Sequence, residues 1–319
     1  MAQPNTSFNF PPPFVGIGSF GRSAFVADPA GFDAAVLGVP YDSSTSYRSG
    51  CRFGPRAIRE QSLLLWGYNN AQQVAPFEVL KLCDAGDVHV VPVDIAATHR
   101  AIEAAADHVL NSGAHLVSLG GDHSITLPLL RSHAQKYGPV AVVHFDAHPD
   151  TWDSEYPGHR HSHGTPFIRA IEEGLIDTTA YVQIGIRGPT GGPQDYANAL
   201  RLGARMITLD EFRTLTIADV VAEVRQLIGT KRFYLTLDID CVDPAFAPGT
   251  GTPEVGGFTS YEILQLVRGL RNLNLVGCDL VEVSPPYDHA GITAILAANL
   301  VFEFLSLLAL NKRAAEVQG

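Results

Sequence analysis

The chain has 319 residues, 46% of them apolar and 17% charged, a globular composition that excludes extensive disorder and allows one large α/β domain or two smaller ones. Its formal net charge of −11 argues against a nucleic-acid or anionic-membrane surface, because both need clustered Lys and Arg to offset phosphate charge. Four dispersed cysteines, Cys51, Cys83, Cys241 and Cys278, form no CxxC pair and read as reduced, buried small hydrophobes rather than a disulfide frame or zinc knuckle.

In chain order, Met1-Ala2-Gln3-Pro4-Asn5 lacks a basic region followed by an apolar one, so no signal peptide is expected. Residues 1–30, with Pro11-Pro12-Pro13 and scattered glycine, predict an extended arm that packs on its own or a neighbouring subunit, ahead of a single domain over 31–319. Ala34 to Pro40 is a short apolar strand. A turn-rich segment from Tyr41 to Arg52 then leads to Gly54-Pro55-Arg56-Ala57-Ile58-Arg59, where Pro55 suits a first helical turn.

A helix across 94–111, a strand at 115–119, the turn Gly120-Gly121-Asp122-His123-Ser124, a helix carrying Leu127 and Leu130 and a strand at 140–145 follow. Further strands are expected at 180–186, 205–208, 233–238 and 275–283, with helices near 165–174, 210–213, 217–228, 259–271 and 290–310. The most apolar stretch, Ala294 to Leu310, is interrupted by Asn299 and Glu303 and is too short and polar for a membrane span. The chain therefore reads as soluble and cytoplasmic. Alternating strands and helices with no linker predict one three-layer α/β/α domain with a mostly parallel sheet, whose ligand crevice lies beyond the C-terminal strand ends.

Three separated segments place His or Asp at those ends: His123, then Asp146, His148 and Asp150 after Val140 to Val143, then Asp238 and Asp240. Residues two apart in an extended chain point the same way, so Asp146, His148 and Asp150 face one point if the strand geometry persists. Taken singly, Gly-Gly-Asp-His-Ser reads either as a turn or as a ligand loop, and a lone strand-end Asp as a cap. Jointly, two imidazoles and four carboxylates exceed what one divalent ion needs and suit two ions roughly 3.5–4 Å apart sharing carboxylates. Without cations the four carboxylates would repel. A thiolate-free, oxygen-rich set favours a hard ion such as Mn²⁺, with Zn²⁺, Co²⁺ and Ni²⁺ as alternatives; Cys241 is expected to point away. Water between two cations becomes hydroxide near neutral pH, a nucleophile for hydrolysis.

Over nearly its full length the sequence resembles the arginase/agmatinase ureohydrolases. The segments that carry the resemblance are Gly120-Gly121-Asp122-His123-Ser124, Asp146-Ala147-His148-Pro149-Asp150, His163-Gly164-Thr165-Pro166-Phe167, Asp238-Ile239-Asp240-Cys241-Val242-Asp243-Pro244 and Glu282-Val283-Ser284-Pro285. The resemblance implies two manganese ions, one on His123, Asp146, Asp150 and Asp238, the other on Asp146, His148, Asp238 and Asp240, with Asp146 and Asp238 shared. It also implies that Glu282 holds the substrate guanidinium and that His163 shuttles the proton. A carboxylate suits paired guanidinium N–H groups, and a group titrating near neutrality suits a leaving amine. The implied reaction releases urea and an amine, from a homotrimer or homohexamer.

Tyr47 to Arg56, Gly249 to Glu254 and Ser284 to Asp288 look more like the agmatinase, guanidinobutyrase and guanidinopropionase branch than true arginases. The substrate tail is expected to meet residues 41–53 and 151–162. There Arg160 would pair with a carboxylate, favouring 4-guanidinobutyrate or 3-guanidinopropionate, whereas Asp153 and Glu155 would receive an amine, favouring agmatine and a putrescine product. Trp152 either narrows the pocket or packs the loop, and His159 and His161 read as solvent-facing. A hydrolase of another amidine-type bond, formimino or biguanide, would differ only in these loops; a non-catalytic binding module would have lost ligands, and none is missing.

Overall fold

A computed structural model describes residues 12–318. Nine strands form one sheet: β1 (Ala24–Phe25), β2 (Ala34–Val39), β3 (Leu82–Asp87), β4 (His115–Gly120), β5 (Val140–Phe145), β6 (Ile176–Ile186), β7 (Arg205–Thr208), β8 (Arg232–Asp238) and β9 (Asn274–Val281). Their order is β1-β3-β2-β4-β9-β8-β5-β6-β7, and every pairing is parallel. β2 and β5 are buried at every position, which is why their sequences run continuously apolar instead of alternating: helices cover both faces of a parallel sheet.

The helices are α1 (Gly54–Ser62), α2 (Pro76–Val79), α3 (Ile95–Asn111), α4 (Thr126–Tyr137), α5 (Pro166–Glu172), α6 (Gln194–Arg201), α7 (Leu209–Phe212), α8 (Ile217–Ile228), α9 (Ser260–Gly269) and α10 (Ile292–Gln318). On one face Ile58 of α1, Val224 of α8, Ile263 of α9 and Leu300 of α10 pack with Val36 and Val143. On the other, Ile102 of α3, Leu129 of α4 and Ala170 of α5 pack with Leu37 and Val142. The three-layer α/β/α architecture expected from the sequence is therefore present. By length and composition α10 would pass for a membrane span, but 83% of its most apolar window is buried within the protein. Its Glu303 is held by Arg268 Nε at 2.8 Å and Asn69 Nδ2 at 2.9 Å, so the charge that interrupts the apolar stretch is satisfied inside the fold.

β1, β3, α2 and α6 were not anticipated. Leu-Cys-Asp-Ala-Gly-Asp does not read as a strand because two of its six residues are acidic; in the fold Arg59 reaches Asp84 at 2.8 and 2.9 Å and Asp87 at 2.6 Å, which makes their placement in the sheet tolerable. The same Asp84 accepts the Phe20 N–H at 2.9 Å, and Ala24 and Phe25 pair with β3. The second half of the expected arm is thus joined to the sheet edge, while residues 1–11 of it lie outside the described residues.

β4 and β5 are consecutive in the chain yet separated in the sheet by β9 and β8. That reversal sets the C-terminal ends of β4, β9, β8 and β5 side by side and opens a crevice between them. Phe145 pairs with Leu237, and Asp238 with Val281, so the next residues of β5 and β9, Asp146 and Glu282, flank Asp238.

Candidate metal centre

β4 runs into Gly121, whose φ is +31° and where a Cβ would lie 2.4 Å from Val39 O and 2.5 Å from Tyr41 O. Only glycine fits that approach. Asp122 then caps the following turn, accepting Ser124 N–H at 3.0 Å and the Ser44 hydroxyl at 2.6 Å, and His123 is turned into the crevice. Thr236 gives its hydroxyl proton to Asp279 at 2.6 Å, so its oxygen accepts from His123 Nε2–H at 2.9 Å. The lone pair of Nδ1 is left for a cation.

His123 Nδ1 is buried without a hydrogen-bond partner of acceptable geometry, yet it lies 3.0 Å from Asp146 Oδ2, 3.0 Å from Asp150 Oδ2 and 3.4 Å from Asp238 Oδ2. Burial opposes a charged ring here, but the three carboxylates outweigh it and hold the imidazolium pKa well above its ordinary value. The pocket therefore selects for positive charge at Nδ1, which a divalent cation would supply.

A second set shares Asp146. His148 Nδ1 is 3.0 Å from Asp240 Oδ2 and 3.5 Å from Asp146 Oδ1, while Asp146 turns its other oxygen to His123. Backbone N–H groups aim these carboxylates: His148 N donates to Asp146 Oδ1 at 2.6 Å, Asp240 N to Asp238 Oδ1 at 2.8 Å and Ala147 N to Asp240 Oδ1 at 3.1 Å. Cys241 is packed in the apolar core, so the donor set is imidazole and carboxylate only, and it fits hard divalent cations. The six residues singled out in the sequence converge in these two groups.

Burial and then the Asp146 charge raise Asp150 to about 7, and burial with Asp240 and Asp146 raises Asp238 well above the usual carboxylate range. An acid whose folded pKa exceeds its unfolded value binds its proton more tightly when folded, so it withdraws stability as pH rises between the two values. These carboxylates' own share of the chelated protein's stability therefore falls between about pH 4 and about pH 7. The rise in thermal midpoint produced by excess Mn²⁺ is expected to widen over that range, because deprotonated ligands bind the cation better. A gap between metal-loaded and chelated midpoints that fails to widen with pH would contradict this centre.

Glu282 follows β9 in a left-handed conformation, φ 64°, and Asp150 is likewise at φ 47°, a backbone region that is costly for residues with a side chain. Glu282 Oε1 accepts His123 N–H at 3.0 Å and lies 3.0 Å from His163 Nδ1, but Oε2 is buried with no donor. A Cβ on Gly251 would come within 3.6 Å of that oxygen, so glycine keeps space open beside it. Burial opposes charge on His163, and the Glu282 contact outweighs it, lifting the ring to about 9.

Trp152 is half-buried and seats on Gly164, where a Cβ would lie 2.8 Å from its ring; of the two readings of Trp152, packing of the loop beside His163 has this contact. Glu155 accepts Gly164 N–H at 2.9 Å. Asp153 and Arg160 are not brought to Glu282. Arg160 is 60% exposed and pairs with Glu172 at 2.8 Å and Asp153 at 3.8 Å, and Asp153 pairs with Arg169 at 2.5 Å. Both expected tail-reading charges are spent on α5, because ion partners one helix away are nearer than the crevice. His159 is exposed, whereas His161 is half-buried against His99, with ring centroids 5.4 Å apart.

Sequence reasoning passed over His144, whose Nε2 lies 2.7 Å from Asp146 Oδ2 while Gln183 donates to Nδ1 at 3.2 Å. Burial lowers it to about 4, so it is a neutral donor that orients Asp146. The period-two rule that groups Asp146 with His148 also groups it with His144 when read backwards.

The arginase-family sequence model matches residues 32–306. The chain is 46% identical to a guanidinopropionase of Pseudomonas aeruginosa, across 93% of each protein. It is 45% identical to a mitochondrial agmatinase of Gallus gallus, across 94% of this chain and 90% of that one. Among solved structures, proclavaminate amidino hydrolase from Streptomyces clavuligerus superposes with a TM-score of 0.91 at 43% identity, covering 94% of this chain and 100% of that chain. With sequence match, close relatives and fold in agreement, the chain belongs to the arginase family.

Proposed function

We propose that this protein is a binuclear manganese hydrolase that cleaves a small linear guanidino acid, 4-guanidinobutyrate or 3-guanidinopropionate, to urea and an amine. The observation that carries the reading is the pair of ligand groups sharing Asp146, with the unpartnered Glu282 Oε2 beside them. His123, Asp146, Asp150 and Asp238 would hold one cation and His148, Asp240, Asp146 and Asp238 the other. What the cations supply when bound is Lewis-acid activation of water at neutral pH.

The remaining steps belong to the chain's own side chains. Glu282 Oε2 accepts N–H from the planar guanidinium and presents its carbon to the metal side of the crevice. His163, held charged beside Glu282, donates its proton to the departing nitrogen.

The acid tail is supported by the charges at the mouth. Asp153 and Glu155 are engaged with Arg169 and Gly164, whereas the Arg48 guanidinium is stacked between Tyr47 and Tyr287, 5.0 and 4.9 Å from their centroids, with no ion pair among the described residues. An aromatic clamp pre-organises a cation for a carboxylate. The similarity to an agmatinase favours agmatine as the second reading.

Urea release from Mn²⁺-loaded protein on guanidinobutyrate, guanidinopropionate, agmatine, arginine and a biguanide, backed by amine detection on these and on formiminoglutamate, whose formimino group yields no urea, decides between them. The expected result is a kcat/KM at least about 10-fold higher for a guanidino acid than for agmatine, a difference of one tail charge. Preference for agmatine would overturn the acid reading, and no product from any compound would revive a non-catalytic role.

A further inference from the structure

We infer that Ser46 is a positioning residue for His163, its hydroxyl giving ring Nε2 a partner that accepts or donates as the ring changes charge. The inference rests on His163 acting as proton donor in the reaction above. It comes from a contact spanning two loops: Nε2 is 2.9 Å from Ser46 N and 2.7 Å from Ser46 Oγ, while Nδ1 is 3.0 Å from Glu282 Oε1.

A backbone N–H only donates. Alone at Nε2 it would demand a lone pair there and hold the ring neutral, with the remaining proton on Nδ1 facing Glu282. The charged ring instead carries N–H at both nitrogens, and the hydroxyl oxygen of Ser46 is the acceptor within hydrogen-bond distance of Nε2; Glu155 Oε1 stands at 3.9 Å. A hydroxyl rotates, so it serves either form, whereas the Ser46 N–H serves only the form with a lone pair at Nε2. The charged groups facing the ring are Glu282, Glu155 and Asp150, with Asp122 beyond, and together they sustain the charged form against burial.

The two residues before Ser46 are held by three contacts. Ser44 O accepts His163 N–H at 3.2 Å, the Ser44 hydroxyl is tied to Asp122 at 2.6 Å, and Tyr156 OH donates to Thr45 O at 3.1 Å. Ser46 itself is exposed while the ring is buried, so the hydroxyl sits between the ring and solvent. In the reaction Nδ1 gives its proton to the leaving nitrogen as the C–N bond breaks and its electron pair moves to that nitrogen. The ring remains as the Nε2–H form, still donating to Ser46 Oγ, and takes one proton from water at Nδ1 to begin again.

Ser46→Ala in the Mn²⁺-loaded protein tests this, because it removes the hydroxyl and keeps the backbone N–H. The expected result is a kcat lower by roughly 10-fold, a fraction of the 10²–10⁴ that placed proton donors contribute, with KM within about twofold. Activity that needs charged His163 is lost as pH rises through its pKa. Removing the acceptor disfavours the charged ring, so the falling limb of the kcat profile moves to lower pH in Ser46→Ala. Ser46→Thr, which restores a hydroxyl, returns both kcat and the limb toward wild type. A Ser46→Ala enzyme with unchanged kcat and limb overturns the inference, as does a loss of kcat with no movement of the limb and no recovery in Ser46→Thr. Absence of urea release from the wild-type protein with every guanidino compound is a separate result, which overturns the functional reading before any variant is compared.

Discussion

Asp146→Asn is expected to lower urea release by at least about 10³-fold and to empty the centre of metal while leaving the fold intact. Asp146 is the one residue of the two groups whose two oxygens face different histidines, Oδ2 toward His123 at 3.0 Å and Oδ1 toward His148 at 3.5 Å. Asparagine has the same shape but offers one neutral oxygen and one donor. One of the two proposed cations would then meet an N–H₂ group in place of a charge. The His144 contact at 2.7 Å and the His148 N–H at 2.6 Å would be made by a weaker acceptor or lost, so the remaining oxygen would also be less well aimed. Manganese per chain, measured after desalting, separates this from a purely catalytic defect. Full metal content with retained turnover would sink the shared-carboxylate assignment.

Glu282→Gln is expected to cost about 10²–10³-fold in kcat/KM with metal content unchanged. Two effects act together. The amide replaces a charged acceptor with a group that is half donor, so it opposes one guanidinium N–H instead of binding it. It also removes the carboxylate that raises His163, so the ring, the proposed proton donor, loses charge at a lower pH. The sign is checkable: a raised histidine pKa supports the protonated form up to that pKa, and lowering it moves the falling limb of activity toward acid. A Gln variant with weaker substrate binding and an unmoved limb would show that His163 does not depend on Glu282.

Much of the centre was legible because its signals are local. A continuous apolar run of four to six residues reads as a covered parallel strand, and His or Asp just beyond its end reads as a crevice residue; His123, the Asp146 set and the Asp238 pair all have that form. β3 was illegible for the converse reason. Its Asp84 is tolerated only because Arg59, 25 residues earlier in the chain, folds over it, and no window of neighbouring residues contains that fact. The loop charges failed in the same way. Arg160 and Asp153 look available in sequence, but α5 brings Glu172 and Arg169 within reach and takes both.

The sequence by itself therefore determined the chemistry: an alternating α/β chain, a thiolate-free set of two imidazoles and four carboxylates, and a carboxylate and a histidine in family-like settings near strand ends. Each follows from residue type and the period of the backbone, which neighbours in the chain dictate. Only the tertiary structure decided which of these groups meet. Inserting β9 and β8 between β4 and β5 brings Asp238 beside Asp146 and Glu282 beside His123, and loop packing lays Ser46 on a ring 117 residues away. Strand order and ion-pair choice depend on long-range pairing and burial, so they are properties of the whole fold rather than of any stretch of it.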